Sequence, residues 1–205
     1  MIEKTTFNLV KAKYGYLSSW AVWAAEEGLP KSNVGDLSVF EDPSTPNVLN
    51  PEVILMGLNI SRGSIKTPLA NFHDSSSRAT DFKIRYALRG TPFWGAYMTD
   101  IIKNYVEIDS AKIPIYLKDN PEVERENIDY FMGELKDLGV NNPTIVCFGG
   151  EAHKIVSRNL KDEFQILKIP HYATYMSKET YREKVKCVID DWISPQKGSQ
   201  CHIER

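Results

Sequence analysis

Three short segments carry the residue types from which a binding or reactive site can be assembled. Gly57-Leu58-Asn59-Ile60-Ser61-Arg62-Gly63 is a polar stretch with glycine at both edges, where backbone can come close to a ligand. No lysine-serine or lysine-threonine pair follows its second glycine, so it is not a phosphate-binding GxxxxGK[ST] loop. Gly149-Gly150 stands between an apolar run and a helical segment whose first N–H groups are free to face a ligand. Ile169-Pro170-His171-Tyr172-Ala173-Thr174 places a histidine just past another apolar run. His73, His153 and His202 have no helical or loop spacing that suits zinc, and Cys147, Cys187 and Cys201 are widely separated, so neither a metal nor a cofactor is expected.

These segments follow elements that alternate along the chain. Val53, Ile54, Leu55 and Met56 form a short apolar run without alternation, the pattern of a strand buried on both faces of a parallel sheet, closed by Gly57. Residues 96–102, 144–148 and 164–169 are three further strand candidates. A helix is expected over residues 14–28, where Leu17, Trp20, Val22 and Trp23 approach helical spacing and Gly28-Leu29-Pro30 supplies a stop. Another helical segment is expected near 77–88. Asn120, Pro121, Glu122 and Glu124 mark a helix start and Gly139 its end, with Ile128, Phe131, Met132, Leu135 and Leu138 as the apolar face. Ser177 can cap a last helix, in which Tyr181, Val185, Val188, Ile189 and Trp192 share one side. Alternating strands and helices imply a three-layer α/β/α fold around a four-stranded, mainly parallel sheet, with ligands at the carboxyl ends of the strands. The expected organisation is a single domain over 1–205, with 1–50 as a helical N-terminal extension and 194–205 as a polar tail.

Bulk properties narrow the function. A length of 205 residues with 42% hydrophobic and 25% charged residues suits one folded domain. A net charge of -2 gives no overall attraction to phosphate backbones, so nucleic-acid binding requires a local basic face. No run of about 18 apolar residues is present, and the first residues lack a basic stretch followed by an apolar one; a cytoplasmic protein without a membrane partner is expected. The odd, scattered cysteines agree with a reducing compartment.

Taken in order, the strand ends resemble the uracil-DNA glycosylase superfamily. VILMGLNISRG is similar to the strand-loop motif of its mismatch-specific branch, G-x-N-P-G, with Ile60 at the proline position. YMTDIIK resembles that branch's second-strand segment, and PTIVCFGGEAHKIV its third strand and following helix. IPHYATY stands where the family has H-P-S, with Tyr172-Ala173 in place of Pro-Ser. The likeness runs from about residue 53 to 192.

The resemblance implies a hydrolase of base excision repair, cleaving the N-glycosidic bond of uracil or a related damaged or mismatched base turned out of DNA. Asn59 would then hold the attacking water; an amide orients water by hydrogen bonds and is no strong base. His171 would donate toward the base O2 or a neighbouring phosphate as negative charge develops. Backbone N–H groups of Leu58 and Asn59 would reach the base edge, Gly57 would belong to the same base-binding segment, Phe72 would stack on the base, and Tyr172, with Tyr175 and Met176 near it, would fill the gap left in the duplex. DNA contacts would fall to Arg62, Lys66 and Arg78 on one side and to Lys168, Lys178, Arg182 and Lys184 on the other. The same residues are compatible with a non-catalytic member that binds a nucleobase, nucleotide or nucleic acid, and with a protein-interaction module on the same fold. The sequence does not fix the oligomeric state.

Overall fold

The computed structural model describes residues 1–61 and 65–194. Among them, five strands form one sheet: β1 (Ser18–Trp20), β2 (Asn50–Asn59), β3 (Ala96–Ile102), β4 (Thr144–Phe148) and β5 (Ile166–Ile169), in the spatial order β1-β3-β2-β4-β5. β3, β2, β4 and β5 run parallel, and β1 lies antiparallel on the outer edge of β3. The helices are α1 (Lys4–Tyr14), α2 (Phe82–Leu88), α3 (Lys112–Asp119), α4 (Pro121–Leu138), α5 (Gly150–Leu160) and α6 (Lys178–Ile193).

Strand pleating divides the core in two. Ile54, Met56, Tyr97, Ile101, Ile145 and Cys147 face one side, where Val10 of α1, Ile113 of α3, Phe131 of α4 and Ile155 of α5 pack on them. Val53, Leu55, Met98, Val146 and Phe148 face the other, covered by Ile84 and Leu88 of α2 and by Tyr181 and Val185 of α6. Both faces of the central strands are therefore buried, which is why their sequences show no polar alternation. The α/β/α layering is as expected, with five strands instead of four.

Helix ends follow local chemistry. Pro121 occupies the first turn of α4, where no intrahelical partner for an N–H is required, with Glu122 and Glu124 beside the positive helix end. Gly139 ends α4 at φ 72°, a left-handed conformation that costs an L side chain about 1–2 kcal/mol. Asn120 departs from expectation: its amide nitrogen bonds the Tyr116 carbonyl and closes α3, and it does not cap α4. Ser177 does cap α6, accepting from the Thr180 N–H at 3.1 Å.

The first 50 residues depart most from expectation. The helix lies over Lys4–Tyr14, ahead of the 14–28 window. Its buried stripe is Phe7, Val10 and Tyr14, and Tyr14 Oη and Lys13 Nζ both donate to Asp137 of α4. Within 14–28 the chain instead forms β1 and an extended continuation, with all of residues 18–23 buried. Leu17, Trp20, Val22 and Trp23 were the helical signal, yet residues 20–25 are apolar throughout. A continuous apolar run of six residues does not distinguish helix from strand by period alone. The serines of β1 are satisfied locally: Ser18 Oγ donates to the Tyr14 carbonyl and Ser19 Oγ to that of Leu69. β1 is therefore an integral strand of the sheet and not part of a helix.

Candidate functional site

β2 is paired with β3 as far as Asn59, which lies opposite Ile102. Its pairing with β4 ends earlier, at Met56 opposite Cys147. Gly57, Leu58 and Asn59 are thus the last residues of a strand, not the start of a loop, and one of their flanks is left open where β4 turns away into α5. The crossover from β2 goes by α2 to one neighbour, while the chain returns by α3 and α4 to the other. This is the switch point at which an open parallel sheet forms a crevice. A cavity of about 430 Å³ occupies it, lined by Gly57, Leu58 and Asn59, by Phe148 and Gly149, and by His171 and Tyr172. The structure therefore brings together residues of all three segments singled out for chemistry and most of the residues assigned to base contact.

Asn59 is half-buried, and its amide nitrogen donates to the Glu107 carbonyl at 2.8 Å and more weakly to that of Ile60 at 3.4 Å. With the nitrogen committed, the amide oxygen is the atom available to a ligand or water.

His171 has a defined tautomer. The Ala173 N–H donates to its Nδ1 at 3.1 Å, so Nδ1 carries the lone pair and the ring proton sits on Nε2. Burial holds the imidazole pKa below its usual range, which keeps the ring neutral. The ring stacks on Tyr172 with centroids 4.4 Å apart. Gly149, at φ 84°, lets the chain pass beneath it: a Cβ there would stand 3.3 Å from the His171 Cβ. The site thus presents one neutral N–H donor and one amide acceptor.

Phe72 is placed differently from the role expected of it. It is buried at φ 63°, and its ring lies 6.1 Å from Phe148 and 6.4 Å from Tyr172. It lines a side cavity of about 30 Å³ together with Asn59 and Asp100. The rings on the main cavity are those of Phe148 and Tyr172, held edge to face at 5.2 Å, and Phe72 backs them.

Asp100, at the carboxyl end of β3, was not among the expected site residues and lines both cavities. It sits opposite Gly57 in the parallel register, and a Cβ on Gly57 would fall 2.1 Å from its Oδ1. Only glycine at 57 permits this approach. Oδ2 accepts from the Asn71 amide at 2.9 Å. Burial raises the carboxyl pKa from 3.8 to about 6, against the opposing effects of that hydrogen bond and of Lys103. Lys103 itself is turned to the Asp100 main-chain carbonyl and to buried Glu134, 3.4 Å away. A carboxylate set within the otherwise uncharged strand Ala96–Ile102 was the signal in the sequence that would have found it.

Among the described residues, no lysine or arginine lines the cavity. Arg62 lies outside the described residues. Lys66 and Arg78 are exposed. Arg182 donates to the carbonyls of Tyr86 and Arg89 at the end of α2, and Lys178 stands 4.0 Å from the Tyr86 ring while pairing with Glu179. These two side chains fasten α6 to α2. The charged side chains on the cavity wall, among the described residues, are acidic: Asp100 and Glu151. Among the described residues no group of three or more His, Cys, Asp or Glu side chains is placed to hold a metal ion.

Comparison with known proteins adds little to this geometry. No family model matches the chain, and no curated protein matches it. Among solved structures, that of mimivirus uracil-DNA glycosylase is similar at 16% identity and a TM-score of 0.36, over 85% of this chain and 70% of that one. A score of that size does not decide a fold family or an activity.

Proposed function

We propose that the crevice beyond β2 and β4 receives a nucleobase, and that the protein is a glycosylase-type hydrolase of the N-glycosidic bond. The observation that carries this reading is the complementary pair on the cavity wall: the His171 Nε2–H, fixed by Ala173, and the Asn59 amide oxygen, freed by Glu107. A departing base leaves as an anion, and a neutral N–H donor stabilises that charge without first being neutralised by it. The amide oxygen can hold a water against the sugar carbon, supplying position but little basicity, so slow turnover is expected. Phe148 and Tyr172 provide the apolar walls that a planar ring requires.

The test is incubation of the purified protein with single- and double-stranded oligonucleotides bearing uracil or other altered bases, followed by alkali. Strand scission that Asn59→Ala and His171→Ala each remove supports the proposal; no abasic product on any substrate overturns it.

A second reading, binding of a base or nucleoside without hydrolysis, is favoured by the acidic wall and by the engagement of Lys178 and Arg182 with α2. It differs in one measurement. Nucleoside binding would then be insensitive to salt, whereas a protein that grips phosphates loses affinity steeply as salt rises.

A further inference from the structure

We infer that Lys83, on α2, is a positioning residue for His171: its buried ammonium clamps the turn that carries the imidazole. This rests on His171 being the donor of the crevice, as proposed above.

β5 ends at Ile169 and α6 begins at Lys178, and in the stretch between them Ala173, Thr174 and Tyr175 are exposed. The stretch is folded into a turn. The Thr174 N–H donates to the His171 carbonyl at 2.9 Å, and the Ala173 N–H donates to the imidazole Nδ1 at 3.1 Å. No proline follows His171 to fix this turn from within.

Lys83 holds it from outside. Its Nζ donates to the Thr174 carbonyl at 3.1 Å and so joins α2 to the end of the turn. The same helix is joined to α6, just beyond, where Arg182 donates to the carbonyls of Tyr86 and Arg89. α2 is thus a platform for both the turn and the helix that follows it.

Lys83 is 7% exposed, and its printed partner is that one carbonyl; among the described residues no carboxylate is paired with it. Burial, and after it the charge of Lys31, lower its pKa. An ammonium buried in this way costs free energy that an apolar chain of similar length avoids. Filling the space alone is better done by methionine. What the ammonium adds is the bond to Thr174.

The experiment is NMR of the full chain near neutral pH on the wild type, on Lys83→Met and Lys83→Leu, and on Lys31→Met as a control, since Lys31 donates to the Ser77 carbonyl and not to the turn. Both Lys83 variants are expected to speed hydrogen exchange at the Ala173 and Thr174 amides by about tenfold or more, through loss of a bond from a charged donor. They should also shift the His171 imidazole nitrogen resonances, while the urea midpoint of Lys83→Met stays level or rises. The second variant decides the matter if one of the two does not fold. Unchanged exchange at both amides, or exchange quickened equally across α2 with a lowered midpoint, would overturn the inference. The same response in Lys31→Met would overturn it too, because the effect would then belong to charge and not to the bond. Base release in single turnover is scored separately. Release undiminished in both Lys83 variants overturns the inference; no release from the wild type sinks the hydrolase reading and leaves the role of Lys83 to be decided by the NMR result.

Discussion

Replacing Asp100 with asparagine should make the protein more stable, and only above a particular pH. The carboxyl titrates at 3.8 when unburied and at about 6 in the fold. The native state therefore holds this proton more tightly than the unfolded chain. As pH rises from below 3.8 to above 6, the unfolded chain releases its proton first, and stability falls throughout that window. The separation corresponds to about 3 kcal/mol once both states are ionised. Asparagine keeps the acceptor for the Asn71 amide and carries no charge. Asp100→Asn should then match the wild type near pH 4 and exceed it by up to about 3 kcal/mol near pH 8, roughly 6–12 °C in Tm for a chain of this size. Buried Glu134, whose pKa burial also raises, contributes a slope of the same sign to both proteins and so largely cancels from the comparison. Urea unfolding of the two proteins across this range is the measurement. Parallel stability profiles from pH 4 to pH 8 would refute the assignment of a desolvated carboxyl at this position.

Other perturbations bear on the site and its frame. Asn59→Ala and His171→Ala should each lower base release by about 10²–10³-fold, measured in single turnover, with thermal stability changed by little. Arg182→Ala should destabilise the α2–α6 junction by about 1 kcal/mol, since two carbonyls lose their donor, and should leave the salt dependence of any oligonucleotide binding unaltered; a reduced slope would place this guanidinium on a phosphate after all. Ser177→Ala removes the one side-chain cap of α6 and should cost about 1 kcal/mol in chemical denaturation. Gly149→Ala should cost stability through its φ of 84° and displace the His171 ring, seen as a changed imidazole resonance.

Much of the frame could be read from residue order because the central strands are short apolar runs with clear punctuation. β3 and β4 appear over the residues expected, bounded by Gly95 and Gly149. α4 and α6 carried explicit start signals, Pro121 with its acidic first turn and Ser177. β1 was hidden because the spacing of Leu17, Trp20, Val22 and Trp23 suggested a helix, while most of that spacing falls in a run, 20–25, that is apolar throughout. Its antiparallel place on β3 is a tertiary choice that no local pattern dictates. The site was legible as three segments, and the structure unites them. What the sequence could not show was how hydrogen bonds to carbonyls and amides apportion the polar atoms: that Asn59 turns its nitrogen to Glu107, that Ala173 fixes the His171 proton, and that Lys178 and Arg182 serve α2. Asp100 escaped because its importance lies in register with Gly57, a relation between two strands 43 positions apart.

The contact between Gly57 and Asp100 has a consequence for any chain descended from a common ancestor with this one. The space that a methyl group would fill at position 57 is taken by a carboxylate oxygen of position 100, so neither site is free to drift alone. An alanine at 57 is tolerable only in a lineage that has already shortened or turned away the side chain at 100, and a long side chain at 100 persists only over glycine. Among relatives the residues at these two positions should therefore vary together, even where the rest of the crevice is unchanged.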